Sequence, residues 1–211
     1  MQLSPTEVRV LGALIEKEAT TPDAYPLSLN ALTTACNQTS NRDPVMDLGE
    51  DVVRIAVNNL RQQSLARAAQ SSGSRVMKFQ HLADDKLNLD AKLLGVLCVL
   101  MLRGPQTPGE IRGRAHRLAE LTTVADADAA LECLRVKELA VELPRRPGQK
   151  EARWAHLLSG TPAPEIIEPE SPDRPARRTD ERDERIAALE RDVARLSAEL
   201  DSLRKQLVAI L

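Results

Sequence analysis

Two stretches of this chain repeat each other, and that duplication limits the possible folds more than any other feature. IAVNNLRQQSLA (55–66) aligns without gaps on AALECLRVKELA (129–140), sharing Ala56/Ala130, Leu60/Leu134, Arg61/Arg135, Leu65/Leu139 and Ala66/Ala140. Downstream, RVMKFQHL (75–82) aligns on KEARWAHL (150–157), setting Lys78 on Arg153, Phe79 on Trp154, His81 on His156 and Leu82 on Leu157. Two matches in the same order, at offsets of 74 and 75, predict two copies of one domain. With one Phe, one Trp and one Tyr in 211 residues, their cores must be built from Leu, Val, Ile and Ala, which suits small helical domains.

Each copy opens in the same way. In LSPTEVRVLGALIEK, Ser4 is placed to cap a helix, with Pro5 at its first position and Glu7 completing a capping box. Leu3 and Val8 form a candidate staple, and Val8, Leu11, Leu14 and Ile15 fall at helical spacing. LNLDAKLLGVLCVLMLRG is the corresponding helix of the second copy, stopped by Gly104 and Pro105. Second helices are predicted over 27–35, capped by Ser28, and over 107–121, where Thr107, Pro108 and Glu110 repeat the capping box. Third helices follow at about 49–64 and 125–138, each leading into a strand pair with a polar tip, AAQSSGS or PRRPGQK. Three helices and a hairpin make the winged-helix plan. The reading is therefore mainly α with small β-wings: two tandem winged-helix domains over 1–83 and 84–158.

Beyond them the chain changes character. Residues 159–181 hold five prolines among mixed charges and read as an extended, disordered linker. Over 182–211, Ile186, Val193, Leu200 and Leu207 fall at heptad position a, with Leu189, Leu196, Leu203 and Ile210 at d. Opposite charges at Arg185 and Glu190, and at Glu199 and Arg204, suit a parallel pair of helices. The expectation is a coiled-coil homodimer about 40 Å long at ~1.5 Å per residue. A single amphipathic helix folded back on the domains is the alternative.

RVLGALIEKEATTPDAYPLSLNALTTACNQTSNRDPV (9–45), RGPQTPGEIRGRAHRL (103–118) and LPRRPGQKEARWAHLLSG (143–160) together resemble the YceH-like bacterial proteins. The resemblance covers about residues 3–160. It implies tandem winged-helix domains and a bacterial cytoplasmic setting, and it carries no established activity and no functional residue.

Charge weighs on function. There are 29 basic and 31 acidic residues, and no segment has a basic excess above one, so the whole chain does not attract nucleic acid. Binding to double-stranded DNA would need local patches. The candidates are Arg54, Asn58 and Arg61 on the third helix of copy one, and Lys78 on its wing. In copy two they are Arg112, Arg114 and Arg117 with His116 on the second helix, and Arg145, Arg146, Lys150 and Arg153 on the wing. Against DNA stand Glu50 and Asp51, and Asp126, Asp128 and Glu132, on the helices that would face bases. Their charge suits the helix dipole instead. On balance the reading is a non-enzymatic DNA-binding transcriptional regulator acting as a dimer; the alternative is a scaffold that uses its winged helices and zipper to bind protein partners and not DNA.

ACNQTSNRDPVMDLGE (35–50) joins helices two and three of copy one through about ten residues, whereas copy two is expected to need only a few. It reads as a self-capping turn built on Asn37, Asn41 and Asp43, or as a partner-recognition loop carrying Arg42. Cys36 has no His or Cys at ligand spacing, so a metal site is not expected. No cofactor motif, nucleophile–base set or phosphate-cradling loop has supporting context, which predicts a protein without enzymatic activity. His81 and His156 read as packing residues at the end of each wing. The first ten residues lack the basic start and apolar run of a secretory leader, and LLGVLCVLML (93–102) is too short to span a membrane. Cys36, Cys98 and Cys133 read as reduced thiols of a cytoplasmic protein.

Overall fold

The computed structural model describes residues 2–69, 76–145, 149 and 151–161, all within one compact unit, Met1–Ala163. The expected zipper, the linker beyond Thr161 and both hairpin tips lie outside the described residues.

Two helices form the centre. Helix α1 spans Pro5–Thr20, and every residue from Glu7 to Glu16 is buried. Helix α5 spans Ala91–Arg103, buried from Leu93 to Leu102. A helix enclosed on all sides needs small residues where neighbours come closest. A Cβ on Gly12 would lie 2.8 Å from Leu102 of α5, and one on Gly95 would lie 2.7 Å from the Leu118 carbonyl oxygen. The Cys98 thiol donates to the Gly12 carbonyl at 3.3 Å across the same crossing. Helix α1 starts as predicted, with Ser4 and Glu7 forming its capping box, and α5 is capped by Asp90, whose side chain accepts from the Leu93 N–H.

Around α1 stand β1 (Leu27–Ser28), α2 (Leu29–Cys36), α3 (Glu50–Gln62), and the hairpin of β2 (Ala66–Ala69) and β3 (Lys78–His81). A short helix, α4 (Ala83–Leu87), leads into α5. Then come α6 (Pro108–Ala115), α7 (Val124–Val136), β4 (Ala140–Glu142) and β5 (Trp154–His156). The described residues are thus mainly helical with small antiparallel sheets.

The internal repeat extends to individual backbone bonds. After α3, Ser64 takes a left-handed conformation (φ 59°) and the Leu65 N–H returns to the Leu60 carbonyl at 2.9 Å. After α7, Glu138 does the same (φ 58°), and Leu139 bonds Leu134 at 2.9 Å. These are Schellman-type helix ends. Each is then clasped by the returning strand, Leu82 N–H to Leu65 and Leu157 N–H to Leu139.

Three features depart from the sequence reading. Strand β1 adds a third strand to the first sheet, in the order β1-β3-β2, with Leu27 opposite Phe79. Its counterpart in the second half is reduced to a bridge between Gln106 and Trp154. Helix α6 stops at Ala115 and does not continue to Leu121. There the Leu118 and Ala119 N–H groups both fold onto the Ala115 carbonyl, and the chain settles against Gly95. The connection to α7 therefore runs over residues 116–123, longer than the few residues expected.

Candidate nucleic-acid and partner interface

Helix α3 buries Val53, Ala56, Val57 and Leu60, which fall on one face at helical spacing. Its outer face leaves Arg54 and Arg61 exposed and Asn58 half-buried. These side chains are engaged locally: Arg54 pairs with Asp51, and Arg61 Nη1 donates to the side-chain Oδ1 of Asn58 at 2.9 Å. Val52 and Ile55 of the same helix are also exposed, at 44% and 60%. That apolar pair was missed in the sequence, although both residues fall off the buried stripe of α3. Lys78 is half-buried in β3, opposite Ser28 and Ala69.

In the second half, the space between α7 and the β4–β5 hairpin is a groove of about 420 Å³ bordered by Asp128, Glu132, Glu142, Glu151 and Trp154. Glu132 is partly neutralised by Arg135 at 2.7 Å. The other three carboxylates leave this face negative, which repels a phosphate backbone. Arg145 is exposed, whereas Arg153 is half-buried and its Nε has no partner among the described residues. Arg146 and Lys150 lie outside the described residues.

Arg114 and Arg117 border one recess that Arg112 does not line; only Arg112 and Arg114 belong to α6, because His116 and Arg117 follow its end. Arg112 Nε donates to the Thr122 carbonyl at 3.0 Å, and Arg114 lies 3.5 Å from Glu110. Arg117 is exposed, with no ion pair among the described residues.

The 37–49 connection is where structure most changes the reading. Arg42, an expected contact residue of a surface loop, is buried, with its side chain wholly enclosed. Its Nη1 and Nη2 donate to the two oxygens of Glu16 at 3.0 and 2.5 Å. Its Nε and Nη2 donate to the Ala35 carbonyl, and Nη2 also reaches Gln38 at 3.1 Å. No surface is left to it. Arg9, only 2% exposed, holds the same loop from α1, donating to the Cys36 carbonyl at 3.1 Å and to the Pro44 carbonyl at 2.6 Å. Burial, with the nearby Arg42 cation, lowers the pKa of Arg9. Asn37 brackets the loop end, accepting from the Leu48 N–H and donating to its carbonyl, both at 2.9 Å. The connection is thus a turn bolted from inside by two arginines. An interior arginine offers no signal in the sequence, since its composition and spacing match those of a surface one.

His81 is buried: its Nδ1 accepts from the Ala83 N–H at 3.2 Å, and Nε2 lies 2.6 Å from Glu18. His156 is half-buried, and burial lowers its pKa to about 4. Both fit the packing role expected of them. Cys36 and Cys98 are free and buried, and Cys133 is free but exposed. Burial pushes the Cys36 thiol up to about 12, so it is not a thiolate near neutral pH. Among the described residues no group of His, Cys, Asp and Glu could hold a metal ion, and no helix is long and apolar enough to cross a membrane.

The described residues form a mainly helical protein with small antiparallel sheets. The chain belongs to the family described as "Protein of unknown function, DUF480", which matches residues 3–149. It is 53% identical over 158 residues to a UPF0502 protein of Koribacter versatilis, covering 74% of this chain and 73% of that one. It is 48% identical over 207 residues to a UPF0502 protein of Geotalea uraniireducens, covering 97% and 91%. A UPF0502 protein of Solibacter usitatus is 46% identical over 204 residues, 97% of each chain. This agrees with the YceH-like resemblance.

Proposed function

We propose that each half of residues 2–161 is a winged helix, and that the tandem is a non-enzymatic cytoplasmic module that binds protein partners. The first half has the short strand before its second helix and the closing hairpin of that plan, and the second half repeats it with a bridge. The observation carrying the interaction reading is the chemistry of the two third helices, α3 and α7. A DNA reader leaves Arg, Asn or Gln free for base edges, whereas on α3 Arg54 is paired with Asp51 and Arg61 with Asn58, and exposed Val52 and Ile55 stand beside them. Helix α7 presents Asp128 and Glu132 beside an acidic groove. Exposed apolar side chains rimmed by charge suit a protein surface. The heptads of 182–211 support homodimerisation, which would double each surface.

A second reading, binding of double-stranded DNA, rests on Arg112, Arg114 and Arg117 as phosphate contacts. Fluorescence anisotropy of the full chain with random duplex DNA, from low to physiological salt, separates the two. The protein-interaction reading expects no binding at physiological salt. Tight binding whose log affinity falls steeply with log salt would overturn it in favour of DNA.

A further inference from the structure

Four elements converge on a recess of about 340 Å³ beside α1: Lys17 at the end of α1, Asn41 of the 37–49 connection, Arg103 closing α5, and Arg114 of α6, with His116 and Arg117 just beyond it. The recess is within the size range of small-molecule sites. Its acids are already engaged. Both oxygens of Glu16 are held by Arg42, with Lys17 3.9 Å away, and Glu110 lies 3.5 Å from Arg114. The carbonyls at the end of α5 are also occupied, Leu100 by the Gly104 N–H and Leu102 by the Asp43 N–H. The cations are less well served. Among the described residues, Arg103 donates only to the neutral Asn41 side chain, and Arg117 has no carboxylate partner. Burial, and then the adjacent Arg114 cation, lower the pKa of Arg103. Glu16 also lines the hollow and partly counters this, but both of its oxygens are spent on Arg42, so Arg103, Arg114 and Arg117 keep a mutual repulsion that a bound anion would relieve.

We infer that this recess binds a phosphate-bearing small molecule, its phosphate clamped by Arg103, Arg114 and Arg117 with Lys17 at the rim. Phosphate is favoured over a lone carboxylate because three guanidinium forks can satisfy several oxygens of one group at once. The convergent placement suits a terminal phosphate in a hollow more than a backbone running along a ridge. The site joins both halves of the unit, so its occupation would tie α1 and the 37–49 connection to α6. It is independent of the protein-interaction reading.

Isothermal titration of the full chain with inorganic pyrophosphate, against sodium chloride at matched ionic strength, tests this. Saturable binding is expected, with Arg103→Gln and Arg117→Gln each weakening it by about tenfold or more. Arg145→Gln, on the distant hairpin, is expected to leave it unchanged. Arg117 is exposed and supports no fold contact among the described residues, so loss of binding there cannot be put down to misfolding. Absence of saturable heat, or equal weakening by Arg145→Gln, would overturn the proposal. Displacement of pyrophosphate by random duplex DNA at lower concentration would also overturn it, assigning the recess to DNA backbone.

Discussion

Breaking the buried Arg42–Glu16 pair from one side should cost about 3–5 kcal/mol, whereas removing both charges should cost much less. Arg42→Met removes the guanidinium and strands the Glu16 carboxylate, which is only 11% exposed. It also takes two donated bonds from the Ala35 carbonyl and one from the Asn41 carbonyl. Breaking a buried ion pair from one side typically costs about 3–5 kcal/mol, because the remaining charge stays desolvated. Relief of the repulsion between Arg42 and Arg9 offsets only part of this. With a urea m-value of roughly 2 kcal/mol/M, the midpoint should fall by about 1.5–2.5 M. Trp154 is buried and is the one tryptophan, so its fluorescence alongside far-UV circular dichroism follows the transition. The double variant Arg42→Met/Glu16→Met removes both charges and should be clearly more stable than Arg42→Met alone. A midpoint shift under about 0.5 M for the single variant, or a double variant as unstable as the sum of the singles, would refute the reasoning.

Three further outcomes are expected. His156 is neutral in the fold down to a pKa of about 4, whereas in the unfolded chain it takes a proton near pH 6.5, so the unfolded state binds more protons between those values. Stability should therefore fall by about 2–3 kcal/mol as pH drops from 6.5 to 4. His156→Gln should remove that component of the slope in urea melts at stepped pH, and an unchanged slope would show that burial of the imidazole is not its source. Glu138 is exposed and left-handed at the end of α7. Glu138→Gly should raise stability by about 1 kcal/mol, since glycine adopts this conformation without a Cβ clash, and a lower melting temperature would contradict it. In sedimentation equilibrium the 23.2 kDa chain should run as a dimer. Placing Lys at Leu200 should return it to monomer, while a monomeric parent chain would exclude the zipper.

Much of the architecture is set by local chemistry that any chain carrying these residues would share. Ser4 with Glu7, Thr107 with Glu110, and Ser28 start their helices because a side-chain oxygen three residues away satisfies an N–H the helix cannot. The buried stripe of α3 follows from a 3.6-residue period, and the repeat at an offset of 74 pairs α3 with α7, each followed by a left-handed residue at the equivalent position, Ser64 and Glu138. These are short-range constraints, so spacing alone reveals them. Tertiary structure decided what each charge faces. Arg42 and Arg117 look alike in sequence, yet one is sealed against Glu16 and the other stands at a recess. Arg103 lies far along the chain from Lys17, and only the packing of α5 on α1, close enough to require Gly12, brings them to one hollow. Helix α6 ends early for a similar reason: the apolar period continues through Leu118 and Leu121, but those side chains reach the core only if the chain turns at Ala115. Burial and charge pairing are properties of space between segments, and no periodicity within one segment encodes them.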